Sequence, residues 1–160
     1  MDIESRIDLI KQVGEEIITE DDLRELLQTK KTPVAYDGFE PSGRIHIAQG
    51  ILRTININKM TKAGCGFKLW VADWFAWMNN KYDGDLDKIH VVGEYFIEMW
   101  KACGLDTDKV EFLWAKDVMS DNDYWAKVVN IGRATTLQRA IRTTQIMGRS
   151  EKDSLSAAQI

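Results

Sequence analysis

The sequence has few cysteines, no excess of positive charge and no long apolar run. Its two cysteines, Cys65 and Cys103, lack the spacing of a metal or redox motif, which indicates reduced thiols in a cytosolic protein. The net charge of −4 excludes a protein that coats nucleic acid through an overall basic field, although a local basic patch stays possible. The most apolar stretch, residues 67–78, contains Lys68 and Asp73 and is too short to span a membrane. No charged and then apolar leader opens the chain, so no signal peptide is predicted.

What the sequence does contain is an alternation of short apolar runs and helical repeats. The runs predict strands at residues 34–36, 67–72 and 110–114, and the repeats predict helices at 46–63 and 86–103 between them. This order predicts an α/β fold with a doubly wound parallel sheet, of which the chain holds about three strands with flanking helices. The second strand is almost continuously apolar, which is typical of a parallel strand covered on both faces.

Further helices flank this alternating part. Residues 1–32 form a predicted amino-terminal helical segment, in which the Thr19 hydroxyl is expected to cap the second helix. Residues 122–147 are predicted to be largely helical, in one or two pieces. Ser154 is predicted to begin another helix, and the sequence stops about two turns later with no stop signal. We therefore expect residues 33–160 to be the truncated first part of a larger domain.

The segment that joins the first strand to the next helix carries the most chemical information. In open α/β sheets, ligands bind at the carboxyl ends of strands, and a helix that begins there offers free N–H groups to phosphate. Gly38 and Gly43 allow the backbone to approach a ligand closely. His46 and Gln49 are three residues apart, so they share a helix face and both can donate to a phosphate oxygen. Turns with glycine and a histidine at a helix start are also common without a ligand, so spacing alone leaves both interpretations open.

Residues 36–49 as a string resemble the HIGH region of class I aminoacyl-tRNA synthetases, and more specifically that of archaeal and eukaryotic tyrosyl-tRNA synthetases. Residues 71–76, 145–149 and 157–160 are most similar to plant and protist members, and the resemblance covers nearly the whole chain. It implies the amino-terminal part of a Rossmann-like catalytic domain in a cytoplasmic protein that is usually a homodimer. The implied activity is that of a tyrosine–tRNA ligase, which uses ATP to convert L-tyrosine to tyrosyl-adenylate and then transfers it to tRNA(Tyr).

The resemblance also implies where ATP binds and which residues act on it. Catalytic roles would belong to His46 and Gln49, and Mg²⁺ would arrive with ATP, so no protein-bound metal is expected. Two positions depart from the family consensus of glycine and histidine: Ala48 is still small enough for adenine to stack, and Gln49 keeps a neutral N–H donor. The residues implied for ATP are Pro41, Ser42, Gly43, His46, Ala48 and Gln49.

Four residues are candidates for binding tyrosine. The resemblance implies that the Tyr36 hydroxyl contacts the phenolic oxygen of the substrate, and that Gly38 and Glu40 line the aminoacyl-adenylate. Asp73 follows a buried strand, so its carboxylate is expected at the ligand-binding end of the sheet, where it would contact the substrate ammonium or a ribose. Aspartate is also a common helix N-cap, and the sequence does not decide between these two roles.

A basic interval lies near the end of the chain. No acidic residue occurs between Asp123 and Glu151, where the basic residues are Lys127, Arg133, Arg139, Arg142 and Arg149. Such an interval is often a solvated helix face, but it also suits RNA phosphates. The resemblance implies that Arg142 approaches the first base pair of the tRNA acceptor stem, while the same region builds the dimer interface of the family.

Two further expectations concern His90 and the extent of the active site within the 160 residues. His90 has no histidine or cysteine at ligand spacing and is expected on the surface. The family's KMSKS loop and the rest of its tyrosine site are absent from the 160 residues, so the chain alone is expected to be inactive or weakly active. The alternative function is a non-catalytic, synthetase-like module that binds RNA or protein.

Overall fold

Three parallel strands form the centre of the fold, in a computed structural model that describes residues 1–143 and 156–159. The strands are β1 (Val34–Phe39), β2 (Gly66–Val71) and β3 (Val110–Trp114). β2 lies in the middle and pairs in parallel with both neighbours. The predicted α/β fold with about three parallel strands is confirmed, and β1 is three residues longer than predicted because residues 37–39 pair with residues 69–71.

Helices make up most of the remaining described residues. The predicted helix over 46–63 begins as a π turn at Ala48–Leu52 and continues as an α-helix. Short 3₁₀ turns occur at Thr107–Lys109 and Ala157–Gln159. Lys81–Gly84 forms a tight turn in which Tyr82 and Asp83 have left-handed φ values of 52° and 58°. The α-helices are α1 (Ile3–Lys11), α2 (Glu20–Thr29), α3 (Arg53–Lys62), α4 (Asp73–Met78), α5 (Leu86–Ala102), α6 (Ala115–Val118), α7 (Asn122–Ala134) and α8 (Leu137–Thr143).

Two local expectations about helices can be compared with these bounds. The region predicted as helical over 122–147 is divided into α7 and α8, and its last residues, 144–147, lie outside the described part, as does the predicted helix start at Ser154. Thr19 occupies the N-cap position of α2, but its hydroxyl donates to the carboxylate of Asp22 at 2.6 Å and makes no capping bond. The predicted hydroxyl cap is therefore wrong, because a neighbouring side chain takes the hydroxyl.

The core lies on one face of the sheet, between the strands and helices α3 and α5. Its buried members are Phe39, Ile57, Phe67, Leu69, Phe96, Trp100, Leu105 and Val110. On the opposite face Val34 and Tyr36 are 62% and 82% exposed, and Lys68 forms an ion pair with Glu111 at 3.1 Å. The prediction that β2 is covered on both faces is thus wrong for the described residues. Crossovers between consecutive parallel neighbours share one hand, so α3 and α5 pack on the same side.

Close packing of α5 against the sheet depends on one glycine. A Cβ atom added to Gly93 would lie 2.6 Å from the Trp114 ring and 2.9 Å from Cγ1 of Val71. Both distances are shorter than van der Waals contact allows, so α5 approaches β2 and β3 closely only because this position has no side chain. The approach brings the side chains of α5 to the carboxyl ends of the strands.

The amino-terminal helices are attached to the end of α3 through Arg6. Its Nε donates to the carbonyl of Ala63 at 2.6 Å, and its two terminal nitrogens donate to the carbonyls of Leu27 and Lys31, each at 3.4 Å. One α1 side chain therefore connects α1, the end of α2 and the α3–β2 turn. Among the described helices, none is long and apolar enough to cross a membrane.

Candidate active site

A cavity of about 520 Å³ opens beside the start of the helix that follows β1. His46 and Ala48 are exposed and Gln49 is half-buried at its wall. The other lining residues are Gln12, Val13, Gly14, Glu15, Leu52, Arg53 and Asn56. The structure thus brings together three of the residues that the sequence predicts for ATP, at the carboxyl end of β1 where phosphates bind in such folds.

The side chain of Gln49 is oriented by the backbone of the turn. Its Oε1 accepts a hydrogen bond from the backbone N–H of His46 at 3.3 Å. A glutamine side chain that accepts from the backbone N–H three residues earlier forms one of the two bonds of a capping box. Because the amide oxygen of Gln49 is used in this bond, its Nε2 group remains as a hydrogen-bond donor. A phosphate oxygen is an acceptor and could bind such a donor.

The loop between β1 and this turn combines a buried anchor with open backbone. Pro41 is fully buried, whereas Ser42 is exposed. A Cβ atom added to Gly43 would meet no atom of the described residues within 4 Å, so the space beside its backbone is open to a ligand in this part of the chain. The three residues that the sequence predicts for ATP in this loop therefore differ in role: Pro41 fixes the path of the chain, and the other two present polar and backbone groups.

Glu40, the first residue after β1, is held by residues that follow α4. Its Oε2 accepts from Nδ2 of Asn79 at 2.9 Å, and Nζ of Lys81 lies 3.7 Å from its Oε1. Gln159 in turn donates to Oδ1 of Asn79 at 3.2 Å. The residue between these two partners, Asn80, has φ of 53°, a left-handed conformation that non-glycine residues rarely adopt and that clusters at functional sites.

Tyr36 and Gly38 lie on the open face of β1, away from the core. Tyr36 is the most exposed side chain of the strand, and a Cβ atom on Gly38 would lie 3.6 Å from the Trp70 side chain on β2. Two of the predicted tyrosine-binding positions thus share one face. The structure places Glu40 just beyond them, at the end of the same strand.

Asp73 is fully buried at the start of α4, and its two oxygens have protein partners. Oδ2 lies 2.9 Å from Nε2 of His90 on α5, and Oδ1 accepts from the backbone N–H of Lys116 in α6 at 3.2 Å. These bonds connect three helices at the carboxyl ends of β2 and β3. His90 is therefore half-buried and paired, not on the surface as expected, and the ring of Trp114 packs edge-on against it at 5.6 Å between centroids.

Sequence reasoning missed two residues at this site. Nε of Arg53 forms an ion pair with Oδ2 of Asp37 at 3.0 Å, and its guanidinium lies 5.5 Å from the Phe39 ring centroid. Its position four residues after Gln49 was an available signal, because residues at that spacing share a helix face. The second is Trp100, whose indole Nε1 donates to the Gln49 carbonyl at 2.9 Å and which no local pattern indicates.

Two predicted features lie elsewhere or outside the described residues. Arg142 is exposed in α8, in the basic interval, whereas Arg149 and the string 145–149 fall outside the described part. Within the ranges that the structure describes, no group of three or more His, Cys, Asp or Glu side chains is arranged to hold a metal ion.

Residues 28–160 match the family described as tRNA synthetases class I (W and Y). The chain therefore belongs to this family of class I synthetases. Within it, the chain is 56% identical over 161 residues to tyrosine–tRNA ligase 1, cytoplasmic, of Arabidopsis thaliana, a match that covers 99% of the chain and 42% of that protein. The tyrosine–tRNA ligase of Thermococcus kodakarensis is 40% identical over 166 residues, which is 100% of the chain and 44% of the relative.

Solved structures give the same relationship. Tyrosyl-tRNA synthetase of Leishmania major in complex with tyrosinol superimposes with a TM-score of 0.89 and 51% identity, over 95% of this chain and 23% of that one. Tyrosyl-tRNA synthetase of Pyrococcus horikoshii complexed with L-tyrosine superimposes with a TM-score of 0.88 and 35% identity, over 99% of this chain and 44% of that one. The resemblance to tyrosyl-tRNA synthetases is confirmed, and the chain spans less than half the length of the curated relatives it matches.

Proposed function

We propose that the gene product is a tyrosine–tRNA ligase, and that this chain contributes the amino-terminal part of its catalytic domain. In the first step the carboxylate of L-tyrosine attacks the α-phosphate of ATP, which forms tyrosyl-adenylate and releases pyrophosphate. In the second step a hydroxyl group of the terminal ribose of tRNA(Tyr) attacks the carbonyl carbon of the adenylate, which forms tyrosyl-tRNA(Tyr) and releases AMP. Neither step needs a nucleophile from the protein, so catalysis is by positioning and by stabilising charge on the phosphates.

The observation that carries this proposal is the His46–Gln49 turn beside the cavity. His46 is exposed at its rim, and Gln49 has its amide oxygen bound to the turn, which leaves both residues with N–H donors for phosphate oxygens. Ala48, exposed between them, leaves a flat surface for adenine. Pro41, Ser42 and Gly43 shape the loop ahead of the turn, and Mg²⁺ would be brought by ATP.

Tyrosine would bind along the open face of β1. The Tyr36 hydroxyl would bond the phenolic oxygen of the substrate, which rejects phenylalanine because the hydroxyl of Tyr36 would then lose its partner. Gly38 leaves the strand without a side chain next to Tyr36, which makes room for the substrate. Glu40, just beyond the strand, would line the aminoacyl-adenylate together with Gly38. Asp73 would act on the tyrosine site indirectly, because its carboxylate is fully buried against His90 and the backbone of Lys116 and fixes the start of α4.

Partners are proposed from the second half of the chain. Arg142, exposed in α8, would contact the phosphates of the tRNA acceptor stem. Exposed apolar residues, Val129 and Ile131 in α7 and Leu137 in α8, support a homodimer, because neighbouring apolar surface residues mark protein interfaces. A cytoplasmic location is proposed on the basis of the name of the Arabidopsis relative.

Tyrosine-dependent exchange of pyrophosphate into ATP tests the function directly. We expect exchange with the full-length gene product, a fall of about 100-fold or more in His46→Ala as for loss of a transition-state donor, and little or no exchange with residues 1–160 alone. Tyr95→Phe, an exposed substitution on α5, is the control. A full-length product that binds tRNA(Tyr) but never exchanges pyrophosphate would instead identify a non-catalytic RNA-binding module.

A further inference from the structure

Trp100 connects the core to the proposed ATP-binding turn. The residue is fully buried near the end of α5, and its indole Nε1 donates to the backbone carbonyl of Gln49 at 2.9 Å. A buried indole N–H needs an acceptor, and here the acceptor belongs to a residue that faces the cavity.

The geometry of the turn explains why this carbonyl receives a bond from outside its helix. In an α-helix the N–H of Arg53 would bond the carbonyl of Gln49, four residues earlier. In the π turn that N–H is directed to the carbonyls of Ala48 and Gly50 instead. The carbonyl of Gln49 therefore lacks the bond from the Arg53 N–H, and it accepts a bond from the indole of Trp100 instead.

The Trp100 ring also contacts the other end of the loop. Its centroid lies 5.1 Å from that of Phe39, the last residue of β1, and 6.4 Å from that of Phe112, with which it stacks nearly parallel. Residues 40–48 therefore run between two points, Phe39 and Gln49, that are both fixed by one side chain. π turns of this kind occur frequently at functional sites.

We propose that Trp100 is a positioning residue that sets the geometry of the His46–Gln49 turn for the phosphates of ATP. This role rests on the proposed function, because ATP is the ligand that the turn would hold. Trp100 itself does not touch the ligand. It acts through the backbone of Gln49, whose displacement would move the side chains of both His46 and Gln49.

The test uses Trp100→Phe in the full-length gene product, since phenylalanine keeps an aromatic ring in the core and removes only the N–H donor and the second ring. Phe96→Leu is the matched control, because Phe96 is buried against the same indole with centroids 5.7 Å apart. Among the described residues, its ring pairs with Tyr95 and Trp100 and with no aromatic ring of the loop. Both variants lose core packing, but only the first loses the bond to Gln49.

Two readouts separate positioning from general destabilisation. In pyrophosphate exchange, we expect Trp100→Phe to raise the KM for ATP about tenfold or lower kcat by as much, with the KM for tyrosine nearly unchanged. In hydrogen exchange, we expect faster exchange at amides 46–53 in Trp100→Phe than in Phe96→Leu at equal loss of melting temperature.

The outcomes distinguish this inference from the proposed function. An active wild type whose two variants show the same kinetic and exchange pattern overturns the role of Trp100 and leaves the function intact. A wild type without pyrophosphate exchange overturns the function and with it the role toward ATP. Hydrogen exchange then tests only whether Trp100 fixes the turn: acceleration confined to residues 46–53 supports this, and its absence overturns it.

Discussion

The imidazole of His90 lies 2.9 Å from the buried carboxylate of Asp73, and the pair joins α5 to the start of α4. The carboxylate also accepts the backbone N–H of Lys116, so a single side chain holds elements that follow both β2 and β3. A fully buried carboxylate is tolerated only with such partners. The pair therefore stabilises the end of the sheet at which the proposed substrates bind.

Replacing His90 with alanine should destabilise the chain. The substitution leaves Oδ2 of Asp73 buried without its partner, and we expect the free energy of unfolding to fall by about 1–3 kcal/mol. Urea denaturation followed by tryptophan fluorescence measures this change. His46→Ala is the control, since His46 is exposed and its loss should leave the unfolding midpoint unchanged. Equal midpoints for the wild type and His90→Ala would contradict a stabilising pair.

Gly93→Ala tests the close approach of α5 to the sheet. The added methyl group would overlap the Trp114 ring and Val71, so we expect a loss of about 1–3 kcal/mol in unfolding free energy from overpacking. Gly132→Ala in α7 is the matched control, because within residues 1–143 and 156–159 no atom lies within 4 Å of its added Cβ, and alanine favours a helix. Thermal unfolding of both variants should show opposite shifts in Tm. A stabilised Gly93→Ala would mean that α5 lies farther from β3.

Tyr36→Phe tests the proposed phenol contact. Loss of one hydroxyl should lower kcat/KM for tyrosine about tenfold and reduce discrimination against phenylalanine, while the KM for ATP stays the same. Pyrophosphate exchange with each amino acid in turn measures both effects in the full-length gene product. If the discrimination were unchanged, the exposed face of β1 would not be the tyrosine site.

Cys65 should be unreactive in the native chain. Its side chain is 5% exposed, and burial raises the pKa of the thiol, which lowers the fraction of the reactive thiolate at neutral pH. In a Cys103→Ser variant, we expect Ellman's reagent to modify Cys65 at least about tenfold faster in urea than in native buffer. Rapid stoichiometric modification without denaturant would show that the start of β2 is accessible.

The strands were predictable because their signals are local. The third strand has the predicted bounds, Val110–Trp114, and α5 differs by one residue from the predicted 86–103. The end of β1 was missed because Asp37 and Gly38 are typical turn residues, and here pairing with β2 overrides that tendency. Strand propensity is a property of a single residue, whereas strand pairing also depends on the residues of the neighbouring strand.

Contacts within the site were predictable only over short separations. The spacing of three residues predicts only that His46 and Gln49 share a helix face; the bond from the His46 N–H to the Gln49 side chain lies within that short separation. The bonds from Trp100 to Gln49 and from His90 to Asp73 span 51 and 17 residues, so they depend on how α5 packs. No periodicity encodes such pairs, and a histidine without a nearby ligand partner therefore looked like a surface residue.

The position of β1 at one side of the sheet has a consequence for the chain in solution. Among the described residues β1 pairs only with β2, so its outer row of N–H and C=O groups can template another strand. The neighbouring exposed side chains, Val34 and Tyr36, add no charge that would repel a second copy. Residues 1–160 on their own should therefore self-associate through strand addition as their concentration rises, and aggregation would then limit how long they can be handled in isolation.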